Sequence, residues 1–86
     1  MTILFFTAAW CNICKAMYPT WGRIVTNNTT LSYEIVDCSK SIERAKQYNA
    51  SSLPTFIAID EIGTPIDRKQ GFLTEATFQN WVDSLK

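Results

Sequence analysis

The hexapeptide Trp10-Cys11-Asn12-Ile13-Cys14-Lys15 follows directly on the apolar run Ile3-Leu4-Phe5-Phe6, and it limits this chain more than any other feature. Two cysteines three positions apart at a strand-to-helix junction suit reversible thiol–disulfide chemistry. If a helix begins at Cys11, that sulfur lies near unpaired backbone N–H groups and the positive end of the helix dipole. Both favour the thiolate, which is the nucleophile. Cys14, one turn on, faces the same side of the helix. There it can attack a mixed disulfide formed at Cys11 and release the product. Asn12 and Ile13 bring no charge between the sulfurs, and no His stands there to hold a thiolate strongly. That pattern suits a reductant better than a strongly oxidising disulfide donor.

Closely spaced cysteines can also hold a metal. Structural zinc sites are usually four-coordinate, with Cys or His ligands. This chain has no His and one further cysteine, Cys38. A closed mononuclear site within one chain is therefore disfavoured, and no metal is expected; a cluster shared between two chains stays open. Cys38 itself reads as a small, partly buried residue. The sharper reading is a regulatory or dimerising thiol.

The chain's 86 residues make one domain, 1–86. Hydrophobic residues at 47%, with three Trp, three Tyr and five Phe, are enough for a core. Eight basic and eight acidic residues cancel, so nothing points to a nucleic-acid or acidic-membrane partner. The N-terminal apolar run has no Lys or Arg before it and is shorter than the roughly 7–15 residues of a signal peptide's apolar stretch. No segment approaches the roughly 20 apolar residues of a membrane span. An odd cysteine count argues against a secreted disulfide framework. The expectation is a soluble, cytoplasmic monomer.

Ile3 to Thr7 reads as a buried strand. Asn12 to about Val25 reads as a helix, with Ile13, Met17, Trp21 and Ile24 at steps of three and four and Pro19 inside. Leu31 to Asp37 reads as a strand, and Ser39 or Ser41 as the cap of a short helix ending near Tyr48. Thr55 to Ile59 is a third strand opened by Pro54. A turn with Gly63 leads into Thr64 to Gln70, where Pro65 marks an edge. Thr74 caps a last helix whose buried stripe is Phe78, Trp81, Val82 and Leu85. The order β-α-β-α-β-β-α predicts an α/β fold: a four-stranded mixed sheet with helices on both faces. Its first strand pair is parallel and its last is an antiparallel hairpin.

This pattern resembles the thioredoxin superfamily over nearly the whole chain. Trp10-Cys11-x-x-Cys14-Lys15 is similar to that family's active site. Pro19 sits where its active-site helix carries a proline, and Val36-Asp37 looks like the end of its next strand. Leu53-Pro54-Thr55 looks like its cis-proline segment, and Gly71 matches the glycine of its last substrate loop. There are departures. The chain begins at the strand before the Cys pair, without the N-terminal strand and helix of full thioredoxins, which gives a glutaredoxin-sized architecture. Asn12-Ile13 replaces the usual Gly-Pro. Phe5 stands where thioredoxins bury an Asp that helps deprotonate the second cysteine. Asp37 and Glu34 are the nearest substitutes, neither at the usual position, so water is the expected acceptor of the Cys14 proton.

The resemblance implies a dithiol–disulfide oxidoreductase. Cys11 would be the catalytic nucleophile and Cys14 the resolving thiol. Trp10, Leu53, Pro54 and Gly71 would form the face that receives the substrate, with the Leu53 backbone free to pair with an extended chain. No metal or organic cofactor is implied beyond the Cys11–Cys14 disulfide. Electrons would come from a flavoprotein such as thioredoxin reductase, or from glutathione. The substrates implied are protein disulfides, with ribonucleotide reductase one candidate. Trp10 and Lys15 favour the thioredoxin role; size favours the glutaredoxin role. The glutaredoxin pattern of Thr-Val-Pro and a later Gly-Gly is replaced here by Ser52-Leu53-Pro54 and Gln70-Gly71-Phe72-Leu73. A non-catalytic binding module on the same fold is the alternative of a different class.

Overall fold

The computed structural model describes residues 1–86. Its elements run β1 (Thr2–Thr7), α1 (Asn12–Asn27), β2 (Ser32–Asp37), α2 (Ile42–Gln47), β3 (Thr55–Ile59), β4 (Pro65–Gln70) and α3 (Glu75–Ser84). They form one four-stranded sheet in the order β2-β1-β3-β4. β1 pairs parallel to β2 and antiparallel to β3, and β3 pairs antiparallel to β4. The mixed sheet expected from the element order is the one observed.

β1 is central, and five of its six residues are buried. Its side chains alternate between the faces. Ile3 and Phe5 point toward α1 and α3, where they join Met17, Trp21, Ile24, Phe56, Phe78, Trp81 and Val82 in the main core. Leu4 and Phe6 point to the other face and pack with Val36, Tyr48, Ala50 and Ile57 beside the shorter α2. Phe5 is stacked on Phe56 at 4.8 Å and tilted against Trp21 at 5.0 Å. A helix-facing stripe of large apolar side chains and a two-sided central strand are what the sequence pattern calls for.

Two boundaries differ from the expectation. Helix α1 continues to Asn27 rather than stopping near Val25. Asn28 explains the extension. Its Nδ2 donates to the Ile24 carbonyl at 2.7 Å and to Gln79 Oε1 at 2.9 Å, which satisfies the helix end and ties it to α3. Ser41 occupies the N-cap position of α2, but its side chain makes no capping hydrogen bond. Elsewhere the local signals hold. Thr74 Oγ1 accepts the Thr77 N–H at 3.2 Å, capping α3. Gly63 takes φ +90° in the β3–β4 turn. Pro65 opens β4 on the outer edge of the sheet, where a missing N–H is tolerated.

Candidate dithiol site

The carboxyl end of β1 delivers the chain to the amino end of α1 through Ala8, Ala9 and Trp10. Cys11 is the N-cap, with extended backbone at φ −92° and ψ 105°. Its N–H donates to the Ala8 carbonyl at 3.1 Å, which fixes the turn. Its Sγ accepts the backbone N–H of Cys14 at 3.2 Å. A sulfur thus takes the place a capping hydroxyl or carboxylate oxygen usually holds. An anionic sulfur at this position gains from that N–H and from the helix dipole. No acidic residue stands in the first turn to oppose it.

Cys11 and Cys14 are paired as a disulfide, with Cα atoms 5.2 Å apart. Their burial differs: Cys11 keeps 8% of its surface and Cys14 none. The two sulfurs pack with Ala8 and Leu53 in a small apolar cluster of their own. Lys15 is exposed on the next helical position.

Two other loops close on this cluster. The Leu53–Pro54 peptide bond is cis, as expected, and Pro54 is buried. Leu53 packs against the cysteines, and its own N–H and C=O take part in none of the chain's backbone hydrogen bonds. Gly71, at φ +85°, donates its N–H to the Pro54 carbonyl at 2.8 Å. The Leu73 N–H points at Met17 Sδ at 3.4 Å, one turn beyond Cys14. Cys11, Cys14, Leu53, Pro54 and Gly71 therefore come together at one end of the sheet.

The surface around them is apolar and open. Trp10 is 71% exposed. Ile13 and Phe72 are also exposed, at 53% and 54%. The last two were not singled out as contact residues from sequence. The available signal was position alone: Ile13 lies between the cysteines, and Phe72 follows the Gly71 that closes on Pro54.

The acids near the site are engaged elsewhere. Glu34 pairs with Arg44 toward the α2 side. The Asp37 carboxylate accepts from the hydroxyl and the N–H of Ser39, and these bonds hold its pKa below the usual carboxylate value. Cys38 is a free thiol. Burial, then the Asp37 charge, push its pKa up. No group of three or more His, Cys, Asp or Glu side chains comes together as a metal site. No helix is long and apolar enough to cross a membrane.

A cis-proline loop facing a Cys-x-x-Cys helix N-terminus on a four-stranded mixed sheet defines a thioredoxin-fold dithiol protein. The chain belongs to the thioredoxin family: the family model described as Thioredoxin matches residues 1–84. Thioredoxin-1 of Caenorhabditis elegans is 33% identical over 83 residues, covering 96% of this chain and 71% of the relative. Thioredoxin H7 of Arabidopsis thaliana is 34% identical over 71 residues, covering 83% of this chain and 54% of the relative. The TPR repeat-containing thioredoxin TDX of the same plant is 35% identical over 71 residues, covering 83% of this chain and 18% of the relative. The chain thus spans about half or less of the length of these two plant relatives. Among solved structures, Fasciola hepatica thioredoxin superposes with a TM-score of 0.89 at 25% identity, over 99% of this chain and 80% of the other.

Proposed function

We propose that the protein is a dithiol–disulfide oxidoreductase that reduces disulfides in other proteins. The observation that carries this reading is the Cys11 sulfur capping α1 and accepting the Cys14 N–H, with Cys14 buried directly behind it. The Cys11 thiolate attacks a substrate disulfide; one substrate sulfur leaves as a thiolate and takes a proton from solvent. Cys14 loses its proton and attacks the Cys11 sulfur, and the second substrate sulfur leaves. Two electrons pass to the substrate, and the Cys11–Cys14 disulfide remains.

Trp10, Leu53, Pro54 and Gly71 receive the substrate, joined by Ile13 and Phe72. The free N–H and C=O of Leu53 suit an extended chain laid beside the sulfurs. Exposed aromatic and aliphatic side chains suit a protein surface as substrate rather than a small charged thiol such as glutathione. The free Cys38 suits a reducing compartment such as the cytoplasm. A flavoprotein disulfide reductase would return the electrons, with no metal or organic cofactor held by this chain.

The test is recycling of the oxidised protein, followed as NADPH consumption, with thioredoxin reductase in one reaction and glutathione plus glutathione reductase in another. Recycling by thioredoxin reductase alone is the expected result. Recycling by glutathione alone would make the protein a glutaredoxin. Recycling by neither, with no mixed disulfide trapped by a Cys14→Ser variant, would favour a non-catalytic binding module.

A further inference from the structure

The loop that leaves β4 is held at two points, and one of them rests on a sulfur atom. At its start the Gly71 N–H donates to the Pro54 carbonyl at 2.8 Å. Two residues on, the Leu73 N–H donates to Met17 Sδ at 3.4 Å. The Leu73 N–H makes no backbone hydrogen bond, so the thioether is its partner. Phe72 stands between the two points and is 54% exposed.

Met17 lies on α1 three residues after Cys14, on the same buried stripe, and is itself wholly buried. It shares the main core with Leu73, Trp21 and Phe78. Packing alone does not select methionine at this place, since leucine fills a similar volume. What leucine lacks is a lone pair. A thioether is a weak acceptor, but it is the acceptor placed against this N–H.

The Leu73 side chain, buried in the core, holds the loop to the body of the protein. It leaves the peptide ahead of it free to turn. The Leu73 N–H lies in the plane of that peptide, together with the Phe72 carbonyl and Cα. Bonding it to Met17 therefore fixes one side of Phe72 relative to the helix that carries both cysteines. The Gly71 bond fixes the chain on the other side.

We propose that Met17 is a positioning residue for substrate recognition: its sulfur holds the Phe72–Leu73 peptide against the dithiol helix, so that Phe72 is presented to a protein disulfide. The proposal rests on the protein-disulfide reading above. Without the sulfur, the Leu73 N–H is left buried and unpaired, which is costly. The loop relieves that cost by lifting the peptide toward water, and Phe72 leaves the face it forms with Trp10, Ile13 and Leu53. The sulfur takes no part in the exchange itself. It acts on which disulfides bind, not on the reaction at Cys11 and Cys14.

Met17→Leu keeps the volume and removes the acceptor. Amide exchange by NMR reads the bond directly. In the wild type the Leu73 N–H should be protected although it belongs to no helix or strand. In Met17→Leu it should exchange on the order of tenfold faster, while the Phe78 amide of α3 changes less, which marks the effect as local. Kinetics read the role. Toward a protein disulfide, KM should rise several-fold with kcat kept, within the roughly tenfold expected for loss of the Phe72 ring. A small aromatic disulfide should be reduced at the wild-type rate. In a Phe72→Ser background, Met17→Leu should add nothing further, because it acts through Phe72. An unprotected Leu73 amide in the wild type, equal losses on both substrates, additive losses in the double variant, or wild-type kinetics in Met17→Leu would each overturn the proposal. Cys14→Ser separates it from the reading beneath. If that variant traps a mixed disulfide with a protein substrate and one of those outcomes is seen, the positioning role alone falls. If it traps none and the wild type reduces no protein disulfide, both fall.

Discussion

The Gly71 N–H donates to the Pro54 carbonyl at 2.8 Å, so the loop leaving β4 is pinned to the residue that opens β3. This bond holds together two of the three loops around Cys11. Gly71 makes it at φ +85°, a conformation that disfavours any side chain. An added Cβ would meet no atom within 4 Å. The penalty of Gly71→Ala is then purely conformational, about 1–2 kcal/mol. Urea unfolding should show that loss, together with slower reduction of protein disulfides. An unchanged unfolding midpoint would mean the loop does not need its left-handed geometry.

Phe72 is exposed beside Gly71, and nothing in the fold requires it there. Phe72→Ser should leave stability within about 0.5 kcal/mol. Burying part of a Phe against a substrate is worth about 1–1.5 kcal/mol. The variant should therefore lose roughly tenfold in kcat/KM toward a protein disulfide. Reduction of a small aromatic disulfide, which makes little contact beyond the sulfurs, should hardly change. Equal losses on both substrates would remove Phe72 from the contact surface.

Asp67 ties the edge strand to the last helix. Trp81 Nε1–H donates to its Oδ2 at 3.0 Å, and the Arg68 N–H donates to its Oδ1 at 2.8 Å. The Trp81 bond first, then the Arg68 bond, lower its pKa below 3.8. A depressed carboxylate stabilises the fold above its unfolded-state value, and that share is lost as pH falls through the folded-state value. Trp81→Phe keeps an aromatic ring in the core and removes the N–H. An NMR titration of the variant should place the Asp67 carboxyl closer to 3.8, with a smaller share of stability lost on acidification below that value. An unshifted titration would assign the depression to the Arg68 backbone instead.

The sheet and the cysteine pair were legible because each rests on local rules. The apolar run from Ile3 to Thr7 read as a buried strand, and the steps of three and four from Ile13 through Met17 and Trp21 to Ile24 read as a helix. Pro54 and Gly71 were legible only through resemblance, since their meeting depends on a hydrogen bond between distant loops. The length of α1 was missed because Asn28 secures the helix end through Gln79, 51 positions away. Ile13 and Phe72 were missed because exposure of an apolar residue is decided by the assembled surface, not by its neighbours in sequence. The full burial of Cys14 was not legible, because it depends on Ala8 and Leu53 packing against it in the assembled fold.

Cys38 should be a slow thiol. Its pKa is raised above 9.0, first by burial and second by the Asp37 carboxylate beside it. A raised thiol pKa means less thiolate at neutral pH, by about tenfold for each unit. The Asp37 carboxylate is ionised at neutral pH in any case, and the Ser39 bonds lower its pKa further. In the reduced protein, iodoacetamide at neutral pH should therefore modify Cys11 well ahead of Cys38, as peptide mapping by mass spectrometry would read. Asp37→Asn removes the neighbouring charge but leaves the burial, so Cys38 labelling should quicken without reaching the rate of Cys11. Labelling of Cys38 as fast as Cys11 in the wild type would show that this thiol, and not only the pair on α1, is open to exchange.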